Sequence, residues 1–458
     1  MIGAAISHPV VAATLSSGVV AAVLLGAALA VGALALLMRR WPDAFPLLAV
    51  LALPFRLPIS AEGRTVNLLV PLYLVVAAAT LTHLLPRLIS RSERRPQGLE
   101  WLLLGAVGLY ALQALYSTDL AKAAENVGFF YVPFALLFVL LRDVRWTREL
   151  LLQCLGVAVA LAVVFAGIGF IEYARKSLFL NPKVVAANQY DNYFRVNSLF
   201  FDPNIYGRFL ALVMIAVTTV VLWTRERREV WIGAAVLAWL LGGLVTSFSQ
   251  SSIAALLLGL AVLAAWRWDV RRTVYIAGAL VVLALAIVLA APASLHFGLK
   301  GSGGSASNAT SGRTKLISGG LELFAKRPLQ GYGSGSFQTE YQRHDKASVE
   351  NATSASHTIP VTVAAEQGIV GLGLYVALLI MAFRVLFKGA GRSPPRVAIA
   401  ACFTALVLHT WTYADFLEDP LTWTLLGIGV ALARAGAPLW ETQSAADSYS
   451  PVGAGYHS

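Results

Sequence analysis

Charge is scarce in this chain. Only 13% of its 458 residues are Asp, Glu, Lys or Arg, roughly half the share of a soluble globular domain. That shortage excludes an ordinary soluble protein, and a mean hydropathy of +0.70 says the same. Cysteine is nearly missing too. Cys154 and Cys402 both fall inside apolar runs and give neither a disulfide framework nor a metal motif. The short alternating segments of barrel strands do not dominate, so the spanning elements are expected to be helices. There is no visible internal repeat of the kind that many transporters show. The N-terminal apolar run lacks a basic n-region and is too long for a signal-peptide core, so it reads as a retained span. The net charge of +11 invites a nucleic-acid partner, but the cations are spread over short loops between apolar runs, which excludes one.

What the chain has in abundance is membrane-length apolar sequence. A window of roughly 20 residues places spans at 13–38, 43–57, 65–86, 99–116, 124–141, 148–172, 204–223, 230–247, 251–267, 273–292, 362–387, 396–414 and 420–434. The fold class is therefore an all-α polytopic membrane protein of about 12–13 transmembrane helices. The basic stretches RSERRPQ (91–97), RDVRWTR (142–148), RERRE (225–229), WRWDVRR (266–272) and FKGAGRSPPR (387–396) should face the cytoplasm. The expected organisation follows. Residues 1–292 form the first part of the helix bundle, with an external loop at 173–203. Residues 293–361 form a large external, periplasmic loop carrying short helices. Residues 362–434 complete the bundle, and 435–458 are a disordered cytoplasmic tail.

The large loop collects most of the candidate chemistry. GSGGSASNATSG (301–312) is flexible by composition, and RTKLISGGLELFAKR (313–327) is expected to be an amphipathic helix opened by Arg313. PLQGYGSGSF (328–337) matches no Walker pattern, so its glycines are read as tight turns. His357 stands where the loop re-enters the membrane; its ordinary pKa, about 6.5, suits proton transfer near neutrality. Arg195 lies in the other external loop, and Arg208 at the outer end of the next span. Guanidinium groups are the preferred partners of a diphosphate, because they stay charged and bind in a planar, bidentate way. Arg208 is equally well read as an interfacial, snorkelling residue. Asp415, Glu418 and Asp419 in ADFLEDP either bind sugar hydroxyls or cap the final span. His409, inside a span, is more often a hydrogen-bonded packing residue, though an ionisable group there is functional by default. The external segments lack an Asp-x-Asp pair or a histidine–carboxylate cluster, which disfavours a metal-dependent nucleotide-sugar transferase, and no metal or other cofactor is expected.

Four stretches together resemble one family. HTIPVTVAAEQGIVGL (357–372) resembles the His-Asn-x-x-Leu…Glu-x-Gly-x-x-Gly-Leu signature of the O-antigen ligase and polymerase family. RTKLISGGLELFAKRPLQGYGSGSF resembles its Arg-led loop helix followed by Pro-x-x-Gly-x-Gly, RVNSLFFDPNIYGRFLAL (195–212) its Arg…Pro-Asn segment, and LVTSFSQSSIAALLLGL (244–260) its Ser-rich span start. The resemblance covers residues 193–373. It departs at Thr358, where the family has Asn, and at Ser252, where an Arg often stands.

The resemblance implies a glycosyltransferase of the GT-C type in the bacterial inner membrane, with its active site on the periplasmic or extracellular face; a single in-line displacement would make it inverting, and the missing carboxylate cluster makes it metal-independent. Its donor would be an undecaprenyl-diphosphate-linked glycan, its acceptor a lipid or a glycan, and its surroundings membrane lipids. His357 would activate the acceptor. Arg313 and Arg195, with Arg208 in support, would hold the carrier diphosphate. An O-antigen or exopolysaccharide polymerase of the same family is the alternative, and a lipid-linked oligosaccharide transporter a more distant one.

Overall fold

The computed structural model describes residues 17–61, 64–90, 96–179, 194–268, 305–345, 356 and 358–435. Most of them are helical, as expected of an all-α polytopic membrane protein. Among the described residues, eight helices are long and apolar enough to cross a membrane, and Gly98–Ala114 and Pro420–Ala435 are shorter apolar ones. The span expected at 273–292 lies outside the described residues, as do the tail and parts of both external loops.

The chain divides into two compact units, residues 1–93 and 94–458. In the first, Ser17–Arg40 is a long helix whose Leu24, Leu25, Leu29 and Leu36 are exposed, as suits a lipid-facing surface. The span expected at 43–57 is not one. Ala44–Ala52 is a helix of nine residues, about 14 Å long, well short of the roughly 30 Å hydrocarbon core. It leads into an antiparallel hairpin, Leu57–Ala61 with Arg64–Leu68, in which Leu57 pairs Leu68 and Ser60 pairs Thr65. Pro54 and Arg56 lie inside the apolar run that had suggested a span, and the helix ends before them.

In the second unit most helices begin where local chemistry dictates. Thr147 Oγ1 accepts from Leu150 N at 3.2 Å at the head of Arg148–Arg175. Asp202 accepts from Asn204 N at 2.6 Å before Pro203–Trp223, with proline in the first turn where its missing N–H is harmless. Ser249 caps Gln250–Arg267. Pro203–Trp223 is the most enclosed of the candidate spans and packs against Arg227–Thr246, Gln250–Arg267 and Pro394–Thr412.

One end of this unit is fixed by charge. Glu100, near the start of Gly98–Ala114, is 3.1 Å from Arg142 and 2.6 Å from Arg434, each near the end of its own helix. All three positions adjoin segments assigned to the cytoplasmic side, so three helices carry that assignment to a single ion cluster. Between Leu120–Asn126 and Val132–Arg142, residues Val127–Tyr131 form one wide π turn.

The loop helix is longer than expected. It runs Ser305–Lys326, so Arg313 lies inside it rather than opening it, and 305–312 is helical rather than flexible. Serine, asparagine and alanine are tolerated in a helix once it is nucleated, and the amphipathic stretch behind them supplies the packing. Leu316 and Leu323 bury against Phe337, Tyr341 and Ala365.

Candidate functional site

The two glycine motifs of the sequence are halves of one structure. The helix Ile359–Phe387 is broken at Gly368, whose φ of 65° and ψ of −163° only glycine adopts readily. The turn 328–337 docks into that break through main-chain bonds. Ile369 N donates to Pro328 O at 2.7 Å, Gly333 N to Glu366 O at 2.8 Å, and Tyr332 N to Ala365 O at 3.2 Å. A Cβ on Gly368 would run into the Leu329 carbonyl, and one on Gly331 into the Glu366 carbonyl. The Glu366 side chain completes the joint. Its two oxygens accept from Gly335 N at 2.9 Å and Phe337 N at 3.0 Å.

A third segment closes on the same turn. Tyr116 Oη donates to Gln330 O and Ser117 Oγ to Ser334 O, both at 2.7 Å. Gln113 Nε2 donates to Gln367 O at 3.2 Å, and Thr339 Oγ1 to Asp119 Oδ2 at 2.9 Å. This part of the 293–361 segment is a fixed wall, held from both sides.

Beneath the turn lies a cavity of about 80 Å³. Its polar lining comes from Tyr110, Lys122, Asn126, Tyr131, Glu366, Tyr375, Asp415 and Glu418, with Ile359 and Thr362 at the head of the broken helix. The rings of Tyr110 and Tyr131 stack at 4.1 Å. Asn126 Nδ2 donates to Tyr110 Oη at 2.7 Å and to Glu418 Oε1 at 2.8 Å. Lys122 Nζ meets Glu125 at 2.6 Å. Asp415 holds a left-handed backbone, φ 74°. The helices that carry these groups have Glu100, Arg142 and Arg434 near their opposite ends, so the cavity and the basic loops face opposite ways.

The three acidic residues of the 415–419 segment separate in role. Asp415 and Glu418 face the cavity. Asp419 caps the last helix, accepting from Leu421 N at 2.9 Å, and pairs with Arg208 at 2.6 Å. Arg208 is 1% exposed, so it does not snorkel; its charge is met inside the bundle. Arg195 donates from Nε to Ser247 O at 3.2 Å and from Nη2 to Asn204 Oδ1 at 3.3 Å. Asn204 Oδ1 also accepts from Ser249 Oγ at 2.9 Å, and Ser249 continues to Ser252 at 2.7 Å. His409 Nε2 lies 3.1 Å from Ser252 Oγ and 3.3 Å from Ser251 Oγ. His409 is thus the packed, hydrogen-bonded residue expected. Ser252, where an arginine often stands, belongs to this small network.

His357 lies outside the described residues, and so does the side chain of Arg313. The residues on either side of His357 are well tied. Ser356 N donates to Thr362 Oγ1 at 3.0 Å, and Thr358 Oγ1 donates to Trp411 O at 3.2 Å. Among the described residues, no three His, Cys, Asp or Glu side chains converge as metal ligands.

Residues 234–376 match the O-antigen ligase family. The matched segment includes Ser249–Ser252, the Gly331–Gly335 turn, Glu366 and the Gly368 break, and it therefore supplies one wall of the cavity. The opposite wall, Tyr110–Tyr131 and Asp415–Glu418, lies outside it, as do Arg195 and Arg208. No curated protein matches the chain. Sequence reasoning missed Asn126 and Lys122. The signal for them was there, in the polar run TDLAKAAEN (118–126) set between two apolar ones.

Proposed function

We propose that this membrane enzyme of the O-antigen ligase and polymerase type transfers a glycan from an undecaprenyl-diphosphate carrier to an acceptor hydroxyl at the outer face of the membrane. The observation that carries the reading is the docking of the Pro-x-x-Gly-x-Gly turn into the Glu-x-Gly break, which sets the family's two motifs over one cavity lined by carboxylates and tyrosines. The positive-inside rule puts the Arg142 and Arg434 ends in the cytoplasm, and hence the cavity on the outer side.

In this reading His357 accepts the acceptor's hydroxyl proton as that oxygen attacks the anomeric carbon. The new C–O bond forms as the bond from that carbon to the diphosphate oxygen breaks, and the single displacement inverts the anomeric centre. Arg313 and Arg195 meet the charge that gathers on the departing undecaprenyl diphosphate. Arg208 acts in support. Through Asp419 it fixes the segment from which Asp415 and Glu418 reach sugar hydroxyls. The sugar–diphosphate bond is already activated, so the transfer calls on no nucleotide or metal.

The test is transfer by the purified protein in nanodiscs, from one defined carrier-linked glycan to each candidate acceptor, read by product mass. His357→Ala is expected to lose transfer by at least about a hundredfold, in the range of a missing general base, while still binding the carrier. Transfer at the wild-type rate would remove the base assignment. A product on a lipid acceptor marks a ligase. A lengthened carrier-linked chain marks a polymerase. Absence of any product, with carrier translocated in vesicles, would favour a transporter.

A further inference from the structure

One side chain of the cavity lining carries a polar atom that the protein leaves unanswered. Asn126 is 2% exposed and lines the cavity, and its Oδ1 is buried with no hydrogen-bond partner among the described residues. The amide cannot be turned round to remove the problem. Its Nδ2 faces the Glu418 carboxylate, which accepts and does not donate, so Oδ1 is committed to the other direction. Native folds rarely leave a buried acceptor in this state, so a donor from outside the chain is called for.

We propose that the cavity is a monosaccharide subsite that admits an uncharged or amino sugar and rejects a uronic acid. The inference rests on the glycan-transfer reading above and names the class of sugar. A sugar hydroxyl donates to Asn126 Oδ1. Asp415 and Glu418 accept further hydroxyls, or an ammonium. The Tyr110–Tyr131 stack offers an aromatic wall to the apolar face of the ring. The volume, about 80 Å³, holds several water-sized probes and is on the order of one pyranose ring.

Charge sets the selection. Among the described lining residues, the carboxylates Asp415 and Glu418 stand against one ammonium, Lys122, which already bridges to Glu125, while both oxygens of Glu366 are taken up by Gly335 N and Phe337 N. A uronate carboxylate would enter beside like charges in a poorly hydrated site.

Saturation-transfer NMR on the full-length protein in nanodiscs tests this, with methyl glycosides of N-acetylglucosamine, galactose, galactosamine and glucuronic acid as probes. Signal is expected from the first three, and roughly fivefold less from the glucuronide, the factor for one like-charge contact of about 1 kcal/mol. Asn126→Leu should lose the signal of all three. The double variant Asp415→Asn, Glu418→Gln should raise the glucuronide signal, a gain that a misfolded protein cannot produce; asparagine tolerates the left-handed backbone at 415. Equal signals from all four glycosides, no signal from any, or no glucuronide gain in the double variant would overturn the subsite. A protein that transfers glycan but binds no glycoside would overturn this inference alone. One that binds as expected but transfers nothing would overturn the enzyme reading and leave the subsite standing.

Discussion

Around Gly368 the bonding partners are backbone amides and carbonyls, joined by one carboxylate; around Arg208 and His409 they are side chains. Both regions are buried, and both belong to the larger unit. The first works because side chains are missing: the turn and the broken helix approach so closely that a single methyl group has no room. The second works because side chains match: a guanidinium finds a carboxylate, and an imidazole finds two hydroxyls. A region of the first kind tolerates no added atom and no substitute. A region of the second kind can in principle be exchanged for another set that fits.

That contrast can be broken by mutation. The largest effect is expected from Asp419→Asn, which leaves the Arg208 charge buried without its counter-ion and should cost about 3–5 kcal/mol in reversible unfolding in detergent. Adding Arg208→Met should restore most of the loss, because an apolar group replaces the stranded charge while the cap to Leu421 stays. Failure of that rescue would show the pair to be irreplaceable and erase the distinction. Next comes Gly368→Ala, at about 3 kcal/mol from the forbidden backbone and the collision together. Here no second change should help. The obstacle is the Leu329 carbonyl, so Leu329→Ala leaves it in place. A thermal midpoint recovered by that double variant would mean the clash is not with backbone. Smallest is Ser252→Ala, expected at about 1 kcal/mol, since His409 keeps Ser251 as a partner. A far larger loss of transfer activity, with stability unchanged, would give the serine–histidine network a chemical part that the present reading does not.

Much of this was legible from local chemistry. Asp202-Pro203 announces the helix it caps, the apolar runs mark nearly every span of the larger unit to within a few residues, and the glycines at 331–335 were read as turns, which they are. Asp419 as a cap followed from its place before Pro420. Other features were hidden because their causes lie far off in the chain. AAEQGIVGL reads as uninterrupted helix, and only the arrival of residues 328–333 explains why it breaks. Glu366 sits in an apolar run, and its partners are 29 and 31 residues away. Asn126, near the start of the span expected at 124–141, shows no role until Glu418 reaches it from across the bundle. Arg208 looked interfacial because its partner, Asp419, is more than two hundred positions further on.

The wide turn at Val127–Tyr131 has a consequence for how this wall could evolve. On a regular α-helix, Asn126 and Tyr131, five positions apart, would point about 140° away from each other. The π turn winds the intervening residues more loosely and lets both line the same chamber. Such a bulge amounts to a single inserted amino acid. Deleting any one residue between 127 and 130 should let the segment relax to ordinary winding, keep the apolar stripe of Val132–Arg142 seated, and slide Tyr131 against Asn126 by one place, so relatives that differ here by one residue in length would have a reshaped chamber on an unchanged scaffold.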